Sequence, residues 1–269
     1  MVFFPHCKIN LGLHVVAKRS DGYHNIETCF YPVPRTEILE VIKSDKFDFT
    51  TSGLTVAGAV NDNLCVKAYH LMANDFKLSS VKIHLHKILP MGAGVGGGSA
   101  DAAFMLRTLN TLFKLNLSQA VLKNYAAELG SDCAFFLQDE PMMAEGRGEI
   151  LSVEPVSLKG KYLVLVKPDV HVATADAYAG VTPTKPANRL QDVLQLPIES
   201  WRDKLVNDFE TSVFKKFPAI AELKSRLYKN GAVYACMSGS GASVFGIFNS
   251  PVDLKAEFAT ADYWGGILN

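Results

Sequence analysis

Apolar and polar residues alternate near the start of the chain. Apolar side chains occupy the odd positions from 9 to 15, and polar residues such as Lys8 and Asn10 stand between them. This alternation predicts a β-strand with one buried face. It places Lys8 and Asn10 on the opposite face, about 7 Å apart along the strand. The segment RSDGYH, residues 19–24, then predicts a turn.

The same periodicity predicts strands and helices along the rest of the chain. The predicted strands cover residues 36–43, 46–51, 81–86, 161–168, 232–237 and 244–248, and the predicted helices cover residues 63–76, 100–114, 118–129, 198–214 and 218–228. Ser99 and Ser118 are predicted N-caps, because a serine hydroxyl accepts a hydrogen bond from an early helical amide. The pattern loosens around residues 155–160, so we expect a domain boundary between residues 157 and 158.

The composition disfavours several classes of partner. Lys plus Arg and Asp plus Glu number 27 each among 269 residues, so the overall charge does not favour nucleic acid, an acidic membrane surface or another polyanion. No apolar run is long enough to cross a bilayer, and the segment MVFFPHCKINLGL does not resemble a secretion signal. The five cysteines form no C-x-x-C pair, which favours reduced thiols and a cytoplasmic protein.

A glycine-rich segment, PMGAGVGGGSADAA at residues 90–103, follows the strand predicted at residues 81–86 and leads into a predicted helix. Such a loop can turn several backbone amides inward, and the N-terminus of the helix adds partial positive charge. The sequence therefore predicts a phosphate-binding site. The alternative is a tight turn in which glycine only supplies positive φ angles, although one or two glycines would be enough for that.

Two common phosphate-binding motifs fail in this context. Gly92, Gly94 and Gly97 match G-x-G-x-x-G, but a dinucleotide-binding unit needs an acidic residue about 20 positions later to hold the ribose. The corresponding segment, LNTLFKLNLSQAV, contains no Asp or Glu. The nucleotide-binding loop that ends in G-K-[ST] fails as well, because Gly98 is followed directly by Ser99 and the loop contains no lysine.

Three segments together resemble one kinase superfamily. The glycine loop resembles the P-x-x-x-G-L-G-S-S-A-A segment of the galactokinase, homoserine kinase, mevalonate kinase and phosphomevalonate kinase superfamily. CKINLGL at residues 7–13 and MSGSGASVFG at residues 237–246 resemble its other two motifs, in the same order. Within the superfamily, KINLGLHVVAKRSDGYHNIET at residues 8–28 and GSDCAFF at residues 130–136 are similar to the branch that phosphorylates a cytidine-diphosphate-linked methylerythritol.

The resemblance implies a fold, a reaction and ligands. The fold is α+β, a two-domain small-molecule kinase with an ATP-binding domain at residues 1–157 and a substrate-side, ferredoxin-like domain at residues 158–269. The reaction transfers the γ-phosphoryl of ATP to a hydroxyl of a cytidine-diphosphate-linked sugar alcohol in non-mevalonate isoprenoid synthesis. ATP is the co-substrate and Mg²⁺ is expected with it. No nucleic-acid or membrane partner is expected.

The resemblance also assigns the two catalytic residues. It implies that Asp132 is the carboxylate that accepts the hydroxyl proton. It places Lys8 beside Asp132, where the ammonium group keeps the carboxylate ionised and offsets charge on the phosphoryl oxygens. Without the resemblance, Asp132 would be an ordinary helix cap that stabilises the helix by about 1 kcal/mol. Lys8 would then belong to the solvent face of a strand.

The other site residues follow from the same resemblance. The expected ATP-binding residues are Asn63 and the loop residues Pro90, Met91, Gly92, Ala93, Gly94, Val95, Gly96, Gly97, Gly98, Ser99 and Ala100. The expected substrate-binding residues are Asn10, Tyr23, His24, Phe30 and Tyr178. Tyr23 offers cytosine an aromatic face, His24 offers it hydrogen bonds, and the resemblance implies that Phe30 stacks on the base with Tyr178 on its other side. Asn10 shares the face of Lys8. Buried aromatic residues are, however, more often part of a core. Asn63 could instead assist a helix cap at Asn61 or Asp62.

Three features leave alternatives open. The SGSGAS loop, residues 238–243, presents amides to the diphosphate of the substrate, supports the ATP loop, or is a plain turn. Gly97 and Gly98 replace the Ser-Ser pair of mevalonate-type kinases, so a serine that helps to hold magnesium there has no clear counterpart. His84 and His86 could share a metal in principle, but a solvated strand face is the simpler interpretation.

Two other functions remain compatible with the residues. One is a related kinase of another small alcohol, and the other is an ATP-binding module without catalysis. An NAD-dependent oxidoreductase is disfavoured by the missing acidic residue.

Overall fold

The computed structural model describes residues 1–186 and 188–269. Within these residues the chain forms two compact units that are not consecutive in sequence. The first unit consists of Met1–Cys7, Arg35–Met91 and Gly96–Asp139. The second unit consists of Lys8–Pro34, Gly92–Val95 and Glu140–Asn269.

The described residues form both strands and helices. The strands are β1 (Val2–Phe3), β2 (His6–Lys18), β3 (His24–Thr36), β4 (Ile38–Lys43), β5 (Asp48–Gly53), β6 (Val81–Lys87), β7 (Met142–Glu145), β8 (Ile150–Val153), β9 (Tyr162–Lys167), β10 (Tyr234–Met237), β11 (Val244–Phe248) and β12 (Asp262–Ile267). The α-helices are α1 (Leu64–Phe76), α2 (Gly97–Leu112), α3 (Gln119–Leu129), α4 (Thr174–Ala179), α5 (Leu190–Leu194), α6 (Phe209–Lys216) and α7 (Pro218–Lys229). Short 3-10 helices cover Val60–Asp62, Phe135–Leu137 and Ile198–Ser200.

The first unit contains a sheet in the order β1-β4-β6-β5 and the helices α1, α2 and α3, which pack against one another. Strands β5 and β6 are parallel and α1 connects them, whereas the other pairs are antiparallel. The alternation predicted for β6 is confirmed, because Val81, Ile83 and Leu85 are buried and Lys82 is exposed. The sheet ends at Lys87 and α2 begins at Gly97, so these two elements hold the ends of the glycine loop.

The second unit contains two sheets, in the orders β2-β3-β7-β8 and β10-β11-β9-β12. The second of these sheets is antiparallel throughout. Apolar residues of β9, β10 and β11 share one core with residues of α6 and α7, such as Phe209 and Leu227. The mixed sheet and helix content confirms the predicted α+β fold.

The predicted domain boundary between residues 157 and 158 stays a prediction. The contacts of the chain group its residues in another way, because β2 and β3 join a sheet with β7 and β8 and so belong to the second unit. A pairing between such distant segments leaves no signal in the local pattern.

The helix predicted at residues 198–214 was wrong. Residues 201–208 separate a short 3-10 helix from α6. The amide of Leu13 donates to the carbonyl of Val206 at 2.9 Å, and the amide of Asp208 donates to the carbonyl of Leu13 at 2.9 Å. This part of the chain therefore pairs with β2 and does not continue the helix.

Of the two predicted caps, one was right. Ser118 caps α3, where its side chain accepts from the amide of Val121. Ser99 lies inside the first turn of α2, and the N-cap is Gly96 with a φ of 74°. Among the residues that the structure describes, no helix combines the length and the hydropathy that a membrane span requires.

Candidate active site

The glycine loop runs from the end of β6 to the start of α2. Gly92, Gly94 and Gly96 have φ angles of 61°, 76° and 74°, a region that other residues rarely adopt. The backbone conformation thus explains three of the loop glycines. A tight turn would require only one or two glycines with a positive φ. Gly97 and Gly98 are helical and have no such need.

Gly98 leaves the start of α2 open. It is exposed, and a Cβ built on it would have only the Cδ1 of Leu64 nearby, at 3.8 Å. The first amides of an α-helix have no carbonyl one turn earlier to bind, and they carry the positive end of the helix dipole. An exposed helix start without a side chain is the arrangement that suits a phosphate group.

The loop residues differ in what they can offer a ligand. Ala93, Val95 and Ala100 are buried, so these three can contribute only their backbone. Met91 is exposed, and Pro90 is half-buried.

Lys8 and Ser238 both bind the carbonyl of Gly94 within the second unit. The ammonium group of Lys8 donates to this oxygen at 3.1 Å and the hydroxyl of Ser238 donates to it at 2.9 Å. Two backbone bonds hold the same stretch, from the amide of Lys8 to Val95 at 3.0 Å and from the amide of Ser243 to Ala93 at 3.2 Å. The SGSGAS loop therefore supports the glycine loop, which was one of the three alternatives.

Lys8 is buried and does not lie on the solvent face of its strand. Only 3% of the residue is exposed, and its ammonium group also donates to Oδ1 of Asn10 at 2.6 Å. The amide nitrogen of the Asn10 side chain donates in turn to the hydroxyl of Thr28 at 2.9 Å. A buried lysine needs such partners to remain charged. Strand β2 is therefore buried on both faces here, where the alternation predicted only one.

Phe30 lies beneath Lys8 and is 1% exposed. The ammonium group of Lys8 is 4.8 Å from the centre of the Phe30 ring. Burial leaves this ring without a free face for a base, so the predicted stacking of Phe30 on cytosine is not supported. We assign Phe30 to the packing that holds Lys8, because a cation over an aromatic face is stabilised by the ring electrons.

Asp132 lies in the turn that follows α3, and it is half-buried. The next 3-10 helix begins after Ala134, which has no side-chain cap, so Asp132 is not the helix cap that was the alternative. A Cβ built on Gly130 would lie 3.3 Å from the Sγ of the neighbouring Cys133 and 4.0 Å from the Oγ of Ser99 in the first turn of α2. Burial raises the pKa of Cys133 to about 12, and the negative charge of Asp132 adds to that rise. The Asp132 turn and the start of α2 are thus neighbours within the first unit.

The aromatic residues predicted to bind cytosine lie in the second unit. The rings of His24 and Tyr178 stack with centres 4.8 Å apart, and Tyr178 meets Phe209 edge to face. No base fits between His24 and Tyr178 at this separation. Tyr23 is 56% exposed and has the guanidinium of Arg147 over its ring at 5.1 Å. Tyr23 therefore offers the most accessible aromatic surface of the three.

Comparisons with known proteins identify the family. Residues 63–140 match the model described as GHMP kinases N terminal domain, and residues 190–261 match the model described as GHMP kinases C terminal. The chain is 51% identical over 251 residues to a 4-diphosphocytidyl-2-C-methyl-D-erythritol kinase of Cytophaga hutchinsonii, covering 93% of each chain. The chain belongs to the GHMP kinase family.

Further comparisons agree with this family. A 4-diphosphocytidyl-2-C-methyl-D-erythritol kinase of Bacteroides fragilis is 49% identical over 96% of this chain and 97% of its own. A crystal structure of 4-(cytidine 5'-diphospho)-2C-methyl-D-erythritol kinase superposes with a TM-score of 0.86 at 30% identity, over 99% of this chain and 98% of that one. The mevalonate kinase of Methanococcus jannaschii shares the fold, with a TM-score of 0.71 at 11% identity over 100% and 98% of the two chains. This GHMP kinase is therefore an ATP-dependent small-molecule kinase.

Asn63 is the N-cap of α1 in this GHMP kinase. Its side-chain oxygen accepts from the amide of Cys65 at 2.9 Å, while Asn61 and Asp62 belong to the preceding 3-10 helix. Asn63 is therefore the cap itself and does not assist another one. A role of Asn63 near adenine stays a prediction. Because the side-chain oxygen is used in the cap, the side-chain nitrogen would be the atom that contacts adenine.

No dedicated metal site is built by the described residues of the GHMP kinase. No group of three or more His, Cys, Asp or Glu side chains among them could hold a metal ion. His84 binds Thr50 and Ser52, and His86 binds Ser52, so both histidines take part in hydrogen bonds along the sheet. This supports the solvated strand face that the sequence suggested.

A buried charge cluster, which the sequence patterns did not predict, lies at the ends of the glycine loop. The ammonium group of Lys87 binds the carboxylates of Glu37 and Asp101, the latter at 2.7 Å, and all three residues are buried. The second oxygen of Glu37 accepts from the amides of Ile88 at 2.6 Å and Leu89 at 3.3 Å. Burial raises the pKa of Asp101 to about 7, against the opposing effect of Lys87. The signal that could have indicated this cluster is that Glu37, Lys87 and Asp101 are charged residues within otherwise apolar segments.

Proposed function

We propose that this GHMP kinase transfers the γ-phosphoryl group of ATP to a hydroxyl of 4-diphosphocytidyl-2-C-methyl-D-erythritol. The reaction belongs to the non-mevalonate synthesis of isoprenoid precursors. A relative that carries this name is 51% identical over 93% of the chain, which supports this substrate over another small alcohol. A non-catalytic ATP-binding module finds no such support.

One observation within the first unit carries the proposal. The exposed start of α2 at Gly98 and the turn that holds Asp132 are neighbours, because a Cβ built on Gly130 would lie 3.3 Å from the Sγ of Cys133 and 4.0 Å from the Oγ of Ser99. Phosphoryl transfer to an alcohol requires a group that binds the phosphates and a base that accepts the hydroxyl proton. The helix start can supply the first and the carboxylate the second. A binding module would need only the helix start.

The chain's own residues divide the work of the reaction. The amides of Gly97, Gly98 and Ser99 bind phosphate oxygens, because the first amides of a helix have no partner within it. Asp132 accepts the proton of the attacking hydroxyl, and Lys8 stabilises the negative charge that develops during transfer. Protein kinases and related enzymes rely in the same way on alignment and charge compensation more than on covalent chemistry.

Lys8 is suited to this role by its surroundings. Its ammonium group donates to neutral oxygen atoms of Asn10 and Gly94, and its charge faces Phe30. These three contacts orient the ammonium group. An oriented charge of this kind costs little reorganisation when the transition state forms.

Magnesium is proposed to arrive with ATP. The described residues build no cage of carboxylates for it, which fits an ion that keeps several waters and binds mainly to phosphate oxygens. Asp132 is the acidic residue of the proposed site that could contact it. When bound, the ion neutralises charge on the phosphates.

The substrate side is proposed to use Asn10, Tyr23, His24 and Tyr178. Tyr23 has the exposure that a stacking residue needs, whereas His24 and Tyr178 would have to separate or to present only their outer faces. We further propose a cytoplasmic location, which the five buried free thiols support. The assignment of residues 1–157 to ATP and 158–269 to the alcohol remains part of the same proposal.

Measuring ADP release with a panel of alcohols tests the function. Purified protein is supplied with ATP, Mg²⁺ and one of three acceptors: the cytidylylated methylerythritol, mevalonate or homoserine. We expect turnover only with the cytidylylated alcohol, and the product should carry one additional phosphate by mass. Turnover with mevalonate or homoserine alone would assign another substrate. Binding of ATP without turnover on any acceptor would favour the binding module.

A further inference from the structure

Asn207 is a buried amide whose hydrogen bonds all go to the backbone. It is 2% exposed, and its side-chain nitrogen donates to the carbonyls of Met237 and Gly239, both at 2.8 Å. Its side-chain oxygen accepts from the amide of Phe209 at 3.0 Å. Both donor hydrogens and the acceptor oxygen of the amide are thus used.

The two carbonyls that Asn207 binds flank Ser238. The hydroxyl of Ser238 donates to the carbonyl of Gly94 at 2.9 Å and lies 3.4 Å from Oδ1 of Asn10. The backbone of Gly239 approaches Gly94 closely as well, since a Cβ on Gly239 would lie 3.2 Å from the Gly94 carbonyl. The position of Ser238 is therefore fixed on both sides by one side chain.

Asn207 is itself anchored to the strand that carries Lys8 and Asn10. It forms a parallel bridge with Leu13 of β2. The next residue, Asp208, accepts from the amide of Val15 at 2.8 Å through its side chain. Asn207 thus joins the Lys8 strand to the loop that touches Gly94, and all of these residues belong to the second unit.

We propose that Asn207 is a positioning residue, which holds Ser238 and through it the Gly94 carbonyl in the place where Lys8 is oriented. The inference rests on the proposed kinase reaction. Asn207 does not touch the reacting groups, and it acts through hydrogen bonds to the loop. Loss of its two donors would leave two buried carbonyls without a partner and would let the loop move. A shift of about 1 Å in such a support is enough to slow an aligned reaction by about 10²-fold.

Three variants test the role in the full-length protein. Asn207→Asp keeps the shape but turns a carboxylate toward two carbonyl oxygens, and Asn207→Ala removes the side chain. Asn230→Asp makes the same chemical change at an exposed amide, which donates to the carbonyl of Arg226 at 2.9 Å at the end of α7. For each variant, kcat and both KM values are measured with ATP and the cytidylylated alcohol, at a temperature well below its Tm.

We expect kcat of both Asn207 variants to fall by roughly 10- to 100-fold, with KM for the cytidylylated alcohol changed less than about threefold. Asn230→Asp should keep the wild-type kcat. A merely structural residue would lower Tm and leave kcat per folded molecule unchanged, and that result for Asn207→Asp or Asn207→Ala would overturn the proposal.

A double-variant cycle gives an independent readout. If Asn207 acts by placing Ser238, the variant Asn207→Ala/Ser238→Ala should have no lower kcat than the more impaired single variant. If the fold-reductions in kcat of the two single variants multiplied in the double variant, Asn207 would not act through Ser238. Absence of turnover by the wild type on all three acceptors would count against the proposed function, whereas an active wild type with unaffected Asn207 variants would count only against this inference.

Discussion

The ammonium group of Lys87 lies 2.7 Å from Oδ2 of Asp101, and this ion pair joins the strand that enters the glycine loop to the helix that leaves it. Glu37 completes the cluster by binding Lys87 and the amides of Ile88 and Leu89. Gly97 makes room for these groups, because a Cβ there would lie 3.3 Å from both the ammonium group of Lys87 and the carboxylate of Glu37. The cluster thus fixes the start and the end of the proposed phosphate site.

Replacing Glu37 should loosen the ATP site. In Glu37→Gln an uncharged amide replaces the partner of Lys87, and one of the buried bonds to Ile88 or Lys87 is lost. We expect KM for ATP to rise about tenfold, the equivalent of one charge-assisted hydrogen bond, with a smaller change in KM for the alcohol. Steady-state kinetics with each substrate varied in turn measures this. Glu40→Gln, on the exposed side of the neighbouring strand β4, should change neither value.

Asp101 should make stability depend on pH. Burial raises its pKa to about 7 in the folded protein, above the usual value in an unfolded chain, so the folded state binds a proton more tightly. The free energy of unfolding should therefore fall as pH rises from about 4 to about 7, relative to Asp101→Asn. Urea unfolding of both proteins at pH 5 and pH 8 measures the difference. Equal pH dependence of the two proteins would show that Asp101 does not titrate in this range.

Asp132→Asn should separate binding from chemistry. The variant keeps the shape of the turn but cannot accept the hydroxyl proton, so kcat should fall by about 10²- to 10⁴-fold while ATP binding persists. Single-turnover assays and ATP titration measure the two quantities. Asp139→Asn is the matched control, because this exposed carboxylate pairs with Arg107 and lies outside the proposed site. If Asp132→Asn kept the kcat of the wild type, Asp132 would not be the residue that accepts the hydroxyl proton.

Gly98→Ala should stabilise the protein and weaken ATP binding. The new methyl group meets no close neighbour and replaces a helical glycine, so the free energy of unfolding should rise by about 0.5–1 kcal/mol. The same methyl group would occupy the space of a phosphate oxygen, so the Kd for ATP should rise. Thermal unfolding and ATP titration measure the two effects.

Gly94→Ala provides the contrasting change. Here φ is 76°, and a Cβ would collide with the backbone carbonyl of Ser238, so this variant should lose both stability and activity. The outcome that would contradict the prediction for Gly98→Ala is ATP binding as tight as in the wild type. It would show that the phosphates do not contact the start of α2.

Local patterns were sufficient for the elements whose structure depends on nearby residues. The strand periodicity of β6, the cap of α3 by Ser118 and the glycine loop between strand and helix were all predicted correctly. Each depends on side chains within a few positions of one another, and such signals are written in the order of the residues. The three ordered motifs also indicated the kinase family, because each motif is a short run of consecutive residues.

Tertiary contacts decided the rest. The segment at 201–208 is not helical because it pairs with β2, nearly 200 positions earlier, and Phe30 is buried with the ammonium group of Lys8 over its ring. Likewise, the partners of Lys87 come from the residue before β4 and from α2, at Glu37 and Asp101. The amino-acid sequence determined which residues could carry charge and where the chain could turn. Only the folded chain determined which charges are buried together, because that depends on contacts between residues far apart in sequence.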